Sequence, residues 1–473
     1  MNRRSKFPDA KRILIDMALQ AFDRRQWLKN AFLLPLSLRG QERRKGPPNI
    51  VWIMLDDLGH ADLGCYGQKR IRTPNIDALA RQGMRFRNCY AGASVCAPSR
   101  SVLMTGLHTG HSSVRANAGT VPLRPEDRTV AQMLKSAGYT CGLFGKWGLG
   151  DAGSTGVPSR KGFDESFGYL HQIHAHDYYT DYLWHNDRKA PLTGNEAGRR
   201  TQYSADVIAE KSLEFVRRNR RNPFFLYLAT TLPHAKYEAP DLEPYADQQW
   251  PETEKIYAAM VTRADGHAGA LMKLLDELGL TENTIVFLTS DNGAPSARSH
   301  DFFASSGKLR GYKGQIYEGG LRVPMLVRWP GRVGAGVTSE APWSFCDFFP
   351  TAASIAGGKQ PSGLDGVSML PVLIGEKKTM SPRLLYWEQY QFDRKANDLR
   401  VDTLTQAGRL GDWKAVRSAP AGALELYNLQ ADPSEQNDVS AQHPEIVAKM
   451  DNLLKTAHTD PRPHNTGSFE FVR

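Results

Sequence analysis

Cysteine is scarce in this chain: Cys65, Cys89, Cys96, Cys141 and Cys346 are the only five in 473 residues, and no two stand in a Cys-x-x-Cys spacing. A disulfide framework and a cysteine-type structural zinc site are therefore excluded, and the odd count leaves at least one thiol unpaired within the chain. Long apolar runs are missing too. None approaches the roughly 18 to 20 residues that a membrane-spanning helix needs, so no transmembrane segment is expected. Neither an internal repeat nor a low-complexity tract occurs, which removes solenoids and fibrous arrays. Positive charge is plentiful but misplaced for a nucleic-acid binder. Of the formal +10, residues 1–45 supply +8, from twelve Lys and Arg against four acids, which leaves the body near neutral at +2. With no basic helix interleaved with aromatics, no nucleic-acid groove is expected.

What is present suits a large enzyme. With 41% hydrophobic residues the chain can build a sizeable core, yet 473 residues exceed the size at which one core stops growing, so a large domain with a smaller companion is expected. The basic leader contains "DRRQWLKNAFLLPLSL" (23–38), with twin arginines Arg24 and Arg25 before a short apolar stretch. It resembles a twin-arginine export signal, which makes residues 1–45 a leader and the protein periplasmic or secreted in a bacterium; a basic leader without that role is the alternative. From residue 46, short apolar runs at 50–55, 140–145, 223–231, 284–290 and 323–329 alternate with amphipathic segments such as "SADVIAEKSLEFVRRN" and "ETEKIYAAMVTRADGHAGALMKLLDELG". Continuous apolar runs suit strands covered on both faces, which predicts an α/β domain with a large, mainly parallel central sheet flanked by helices. Near residue 378 the pattern changes. "LLYWEQY", "DWKAVRS" and "LELYNL" read as antiparallel strands and "PEIVAKMDNLLKTAH" as a closing helix, so residues 46–378 are expected to form the catalytic domain and 379–473 a small α+β unit.

The chemistry-bearing residues follow the predicted strands. Asp56 and Asp57 come directly after the first, and Asp291, Asn292 and the turn-forming Gly293 directly after "TIVFLTS". Carboxyl ends of strands form the ligand crevice of open α/β sheets. Asp-Asp with Asp-Asn offers hard oxygen donors and no nitrogen or sulfur, an inventory suited to calcium, with magnesium second, and not to zinc. Lys146, His234 and Lys313 sit at similar strand ends or nearby loops, and cations gathered around a divalent ion describe a site for a tetrahedral oxyanion ester. "GLGDAG" (148–153) satisfies G-x-G-x-x-G, but "STGVPSRKGF" after it lacks helical periodicity, so a dinucleotide site is rejected. Last, "SVCAPSRSVLMTGLHTGH" (94–111) puts Cys96 at the polar start of an apolar helical run, a chemical position more than a packing one.

With these blocks in order, the chain resembles the formylglycine-dependent sulfatases of the alkaline-phosphatase-like superfamily. "CAPSRSVLMTG" carries the Cys-x-Pro-x-Arg signature as Cys96, Pro98 and Arg100, and "VWIMLDDLGHADLGCYG", "FGKWGLG", "LPHAKYEAP", "TSDNG" and "YKGQIYEGGLRVPMLVRWPG" match the other blocks across about residues 48 to 460. The resemblance implies that a separate maturing enzyme oxidises Cys96 to Cα-formylglycine, whose hydrate attacks sulfur and later releases sulfate. It further implies calcium held by Asp56, Asp57, Asp291, Asn292 and residue 96, with Arg100 bracing these groups. Lys146 and Lys313 would then bind sulfate oxygens, and His234 would be general acid to the leaving oxygen. One block departs: where the family has Gly-Lys-x-His-Leu-Gly, Gly148 holds the histidine position. The expectation drawn from "HQIHAHDYY" is that His174 or His176 enters that space or contacts substrate, the alternative being surface or packing histidines. Tyr178, Tyr179, Tyr182 and Trp184 are either a sugar-stacking wall or an ordinary packed loop. The implied substrate is a sulfated carbohydrate or aryl sulfate; a phosphoester or phosphonate hydrolase and a noncatalytic sulfated-glycan binding protein are the competing functions.

Overall fold

The computed structural model describes residues 46–117, 121–300, 302–393, 395–396 and 398–461. The twin-arginine motif lies outside the described residues. In chain order the strands of the large sheet are β1 (Asn49–Leu55), β2 (Met84–Tyr90), β3 (Thr140–Lys146), β4 (Glu165–Tyr169), β5 (Tyr182–His185), β6 (Arg188–Pro191), β7 (Phe224–Ala229), β8 (Thr284–Ser290), β9 (Arg322–Arg328), β10 (Val337–Ser339) and β11 (Trp343–Ser344). They lie in the spatial order β10-β2-β9-β8-β1-β7-β3-β4-β5-β6, with β11 beside β2. The central block β8-β1-β7-β3-β4 is parallel, and β9, β5 and β6 run antiparallel to their neighbours.

β1 shows why a continuous apolar run is a strand here. Ile50, Trp52 and Met54 point into one buried cluster, and Val51, Ile53 and Leu55 into another on the opposite face. Period-two alternation thus fills both layers of helices at once. Trp52 anchors the first cluster, its ring centroid 4.2 Å from Phe348 and 5.2 Å from Phe287. The helices Ser204–Asn219 and Glu252–Glu277 bury Ile208, Phe215, Tyr257 and Leu271 in the second.

A second, antiparallel sheet of four strands follows: β12 (Leu384–Asp393), β13 (Asp398–Leu410), β14 (Trp413–Arg417) and β15 (Glu425–Asn428). The helix Pro444–Ala457 closes one face with Met450 and Leu454, against Tyr386, Ala415 and Leu426. Trp387, Val416 and Tyr427 on the other face pack on Tyr90, Ile316 and Leu321 of the large unit, and Trp387 Nε1 donates to the Ala91 carbonyl at 2.9 Å. The predicted fold class is the observed one. Strands β2, β4 to β6, β10, β11 and β13 are additions to the sequence reading, of which β2 and β13 are the longest. β2 interleaves Arg85 and Arg87 with its apolar residues, and the first half of β13 is largely exposed, so neither offers the uninterrupted apolar run that marks the central strands.

Candidate active site

Four neighbouring strands deliver their carboxyl ends to one place. β1 ends in Asp56 and Asp57, β8 in Asp291 and Asn292, β3 in Lys146, and β7 leads through Thr230–Pro233 to His234. Backbone bonds align them: Asp291 N–H donates to Leu55 O and Asp56 N–H to Leu232 O, both at 3.0 Å. Asp57 takes a left-handed φ of 63°, a conformation that aspartate tolerates better than most residues. The helix Cys96–Thr105, buried along its whole length, points its first residue at this cluster. Cys96 Sγ lies 3.6 Å from Asp56 Oδ1 and 3.9 Å from Asp57 Oδ1. The thiol is therefore buried against carboxylates, not hydrocarbon.

Cations brace the acids. Arg100 on the same helix donates from Nε and Nη2 to Asp291 Oδ2 at 3.0 and 2.8 Å, and from Nη1 to the Lys146 carbonyl at 2.6 Å, tying the ends of β8 and β3 together. Lys146 Nζ donates to Asp56 Oδ2 at 2.8 Å. Lys313 Nζ donates to Asp57 Oδ2 at 2.7 Å and lies 3.3 Å from His234 Nε2. His234 Nδ1 faces the Ala235 carbonyl, so Nδ1 carries a hydrogen and Nε2 is the nitrogen turned to the site. Tyr178 holds that turn, donating to Thr231 O at 2.7 Å and His234 O at 2.8 Å.

The electrostatics are uneven. Burial works against ionisation of Asp56, but Lys146, with His234, Arg100 and Lys313 behind it, holds its carboxyl far below the usual range. Asp57 is also lowered, by Lys313 and then His234 against burial. Asp291 goes the other way, pushed up to about 6 by burial and by the charge of Asp56 despite Arg100. Burial, then Asp291, raises the Cys96 thiol well above its ordinary value, so it is no ready thiolate nucleophile. Burial lowers His234 against the pull of Asp56 and Asp57.

Asn292 provides the test of fit for a metal. Its amide nitrogen donates to Asp57 Oδ1 at 2.8 Å and Gly293 O at 2.9 Å, while its buried Oδ1 has no partner among the described residues. An orphaned amide oxygen beside three carboxylates is a hard-oxygen donor set that suits a divalent cation. Donor atoms of Asp56, Asp57, Cys96 and His234 lie within 4.8 Å of one another. These residues fit a divalent ion.

The space beside Gly148 is not filled as the first half of the histidine expectation had it. Neither His174 nor His176 fills it: a β-carbon added at Gly148 would meet Gln172, at 2.1 Å from Nε2. His174 Nε2 turns instead to Thr180 Oγ1 at 2.8 Å, and His176 stacks on His234 with ring centroids 4.4 Å apart. The segment after Lys146 crowds whatever reaches Gly148 from chain neighbours already in register with it, and Gln172 is nearest. The aromatic segment is packed structure, a loop at Tyr178 and Tyr179 that leads into β5 with Tyr182 and Trp184. Tyr178 is fully buried on Tyr203, Tyr182 pairs with Lys189 and Trp184 packs on the first cluster. No helix follows "GLGDAG", only a single turn at Pro158–Lys161.

Residues 48–358 match the family model described as Sulfatase. The chain belongs to the sulfatase family. A second model, N-sulphoglucosamine sulphohydrolase, C-terminal, matches residues 311–460 of this sulfatase, the stretch from Lys313 through the second sheet. The sulfatase is 33% identical to human arylsulfatase A over 86% of its own chain and 87% of that protein. It is 30% identical to an N-acetylgalactosamine-6-O-sulfatase of Bacteroides thetaiotaomicron, over 89% and 94%. Among solved structures, Ps i-CgsB in complex with k-i-k-neocarrahexaose superposes with a TM-score of 0.77 at 30% identity, covering 89% of this chain and 95% of that one. A phosphonate monoester hydrolase of Agrobacterium radiobacter shares the fold, with a TM-score of 0.66 at 21% identity, 87% of this chain and 95% of that one.

Proposed function

We propose that this sulfatase hydrolyses the sulfate ester of a carbohydrate to alcohol and inorganic sulfate, using a Cα-formylglycine made from Cys96 by a separate maturing enzyme and a calcium ion. The observation that carries the proposal is Cys96 itself, set at a helix start 3.6 Å from Asp56 in a nest of oxygen donors and cations. The carbohydrate part is supported by the N-acetylgalactosamine-6-O-sulfatase relative and by the neighbour solved with k-i-k-neocarrahexaose.

When present, the ion and the hydrated aldehyde supply a Lewis acid and a nucleophilic hydroxyl. The ion would be held by Asp56, Asp57, Asp291 and Asn292 Oδ1 beside residue 96. Arg100 keeps Asp291 and the end of β3 in register. Lys146 and Lys313 bind the sulfuryl oxygens, each exchanging part of its bond to a carboxylate for one to substrate. His234, with Nδ1–H held by the Ala235 carbonyl, acts from its protonated form, giving the Nε2 proton to the leaving oxygen and ending neutral, a step that matters because a sugar alkoxide departs poorly.

The mass of the peptide bearing residue 96 tests this directly, since conversion of thiol to aldehyde lowers it by about 18 Da. Matured protein should cleave aryl sulfate in preference to the paired aryl phosphate, lose turnover and melting temperature on chelation, and regain both with calcium. An unchanged mass in active protein, or a preference for phosphate, overturns the proposal. Export is proposed from Arg24 and Arg25: changing both to Lys should hold the protein in the cytoplasm, measured by fractionation.

A further inference from the structure

Gln172 is a buried carboxamide with nothing to bond. The residue is 5% exposed, and neither Oε1 nor Nε2 has a partner among the described residues. Groups of this kind are rare in folded proteins and each needs an explanation. Its place points to one. Trp147 N–H donates to Tyr169 O at 2.9 Å and Gly148 N–H to Leu170 O at 3.0 Å, so the segment leading to Gln172 runs alongside the residues that follow Lys146. Gly148, at φ +75°, has no side chain, and the amide nitrogen of Gln172 lies 2.1 Å from where a β-carbon would stand. The glycine makes the room that the carboxamide takes. Four residues on, His176 stacks against His234. The segment 170–176 thus flanks the site from Lys146 to His234, with Gln172 at the Lys146 end.

The unmet valences select the ligand. A carboxamide offers two donor hydrogens and one acceptor oxygen. Sulfuryl oxygens only accept, and would leave Oε1 orphaned. An oxygen that itself carries a hydrogen satisfies both atoms, and sugar hydroxyls are such oxygens whereas a phenyl ring has none. We infer that Gln172 reads a hydroxyl of the sulfated sugar next to the ester, accepting its proton at Oε1 and donating from Nε2 to the same or the adjacent oxygen. It is a specificity residue resting on the carbohydrate sulfatase reading above.

Gln172→Leu keeps the volume and removes both polar atoms. Binding is read by calorimetry on Cys96→Ala protein, which cannot turn over, with a panel of galactose and N-acetylgalactosamine monosulfates and with phenyl sulfate; turnover is read on matured enzyme with the same compounds. The expected result is a loss of about 10- to 100-fold in affinity and kcat/KM for the sulfated sugars, less than about threefold for phenyl sulfate, and a melting temperature unchanged or raised. Gly148→Ala, whose methyl would displace the carboxamide, should show the same selective loss. Equal losses on sugar and phenyl sulfate, no loss on either, or a fall in melting temperature overturn the inference while leaving the sulfatase reading intact. Wild-type enzyme that cleaves phenyl sulfate and none of the sugars overturns the carbohydrate reading, and this inference with it.

Discussion

Cys96 and His234 are both deeply buried, yet each is set in a polar lining that fixes what it can do. His234 has Nδ1 committed to the Ala235 carbonyl and Nε2 beside Lys313 and Asp57, so its proposed contribution lies in leaving-group protonation alone. His234→Ala should therefore lower kcat by about 10² to 10⁴ for poor leaving groups and far less for good ones. A series of aryl sulfates of rising phenol pKa checks this: the slope of log kcat against that pKa should steepen in the variant. At this scale the site was largely legible in the sequence. Asp56, Asp57, Asp291 and Asn292 follow predicted strands, and the order of an open sheet brings such ends together. Gln172 was not legible. A glutamine carries no titratable or nucleophilic signal, and its position beside Gly148 arises from the pairing of 169–170 with 147–148, which no local pattern announces.

The second sheet acts on the site through the segment 311–321. Lys313 N–H donates to Ala294 O and Gly314 N–H to Ser94 O, both at 2.8 Å, which seats Lys313 between the loops after β8 and before the Cys96 helix. Five residues on, Glu318 is fully buried and receives Lys414 of β14 at 2.9 Å, and the same ammonium meets Glu435 at 2.8 Å. A buried cation shared by two carboxylates is costly to remove because Glu435 loses its ion-pair partner and Glu318 is left with Arg322, at 2.6 Å. Lys414→Ala should lower the unfolding free energy by about 3–5 kcal/mol, measured in urea. β14 itself was evident from "DWKAVRS", whereas the neighbouring β13 was not. Its inner half packs Ala407 against Trp387 and Val416, but its outer half is sustained by pairing with β12 and not by apolar alternation.

Across the whole molecule, His458 and Thr459 return to the loop that follows the Cys96 helix. His458 Nδ1 contacts Glu388 at 2.8 Å, and Arg115 bonds Glu388 at 2.7 Å and the Thr459 hydroxyl at 2.9 Å. The bond to Glu388 raises the His458 imidazole above its usual value against partial burial, and Asp365 does the same for His111 at 2.9 Å. A histidine raised on folding adds stability that is complete below about pH 6.5 and fades as pH climbs through the higher folded value. These two histidines alone thus contribute stability that is lost between about pH 6 and 8, so the gap in melting temperature between wild type and His458→Gln with His111→Gln should narrow across that range in a calorimetric pH series. Finally, the complete burial of the helix from Cys96 to Thr105 sets an order of events in biosynthesis. A second protein can reach that thiol only while the chain is still open, so the proposed oxidation has to come before closure. Co-expression with the maturing enzyme should give extensive conversion, and late addition to purified folded chain very little, as the mass of the residue-96 peptide will show.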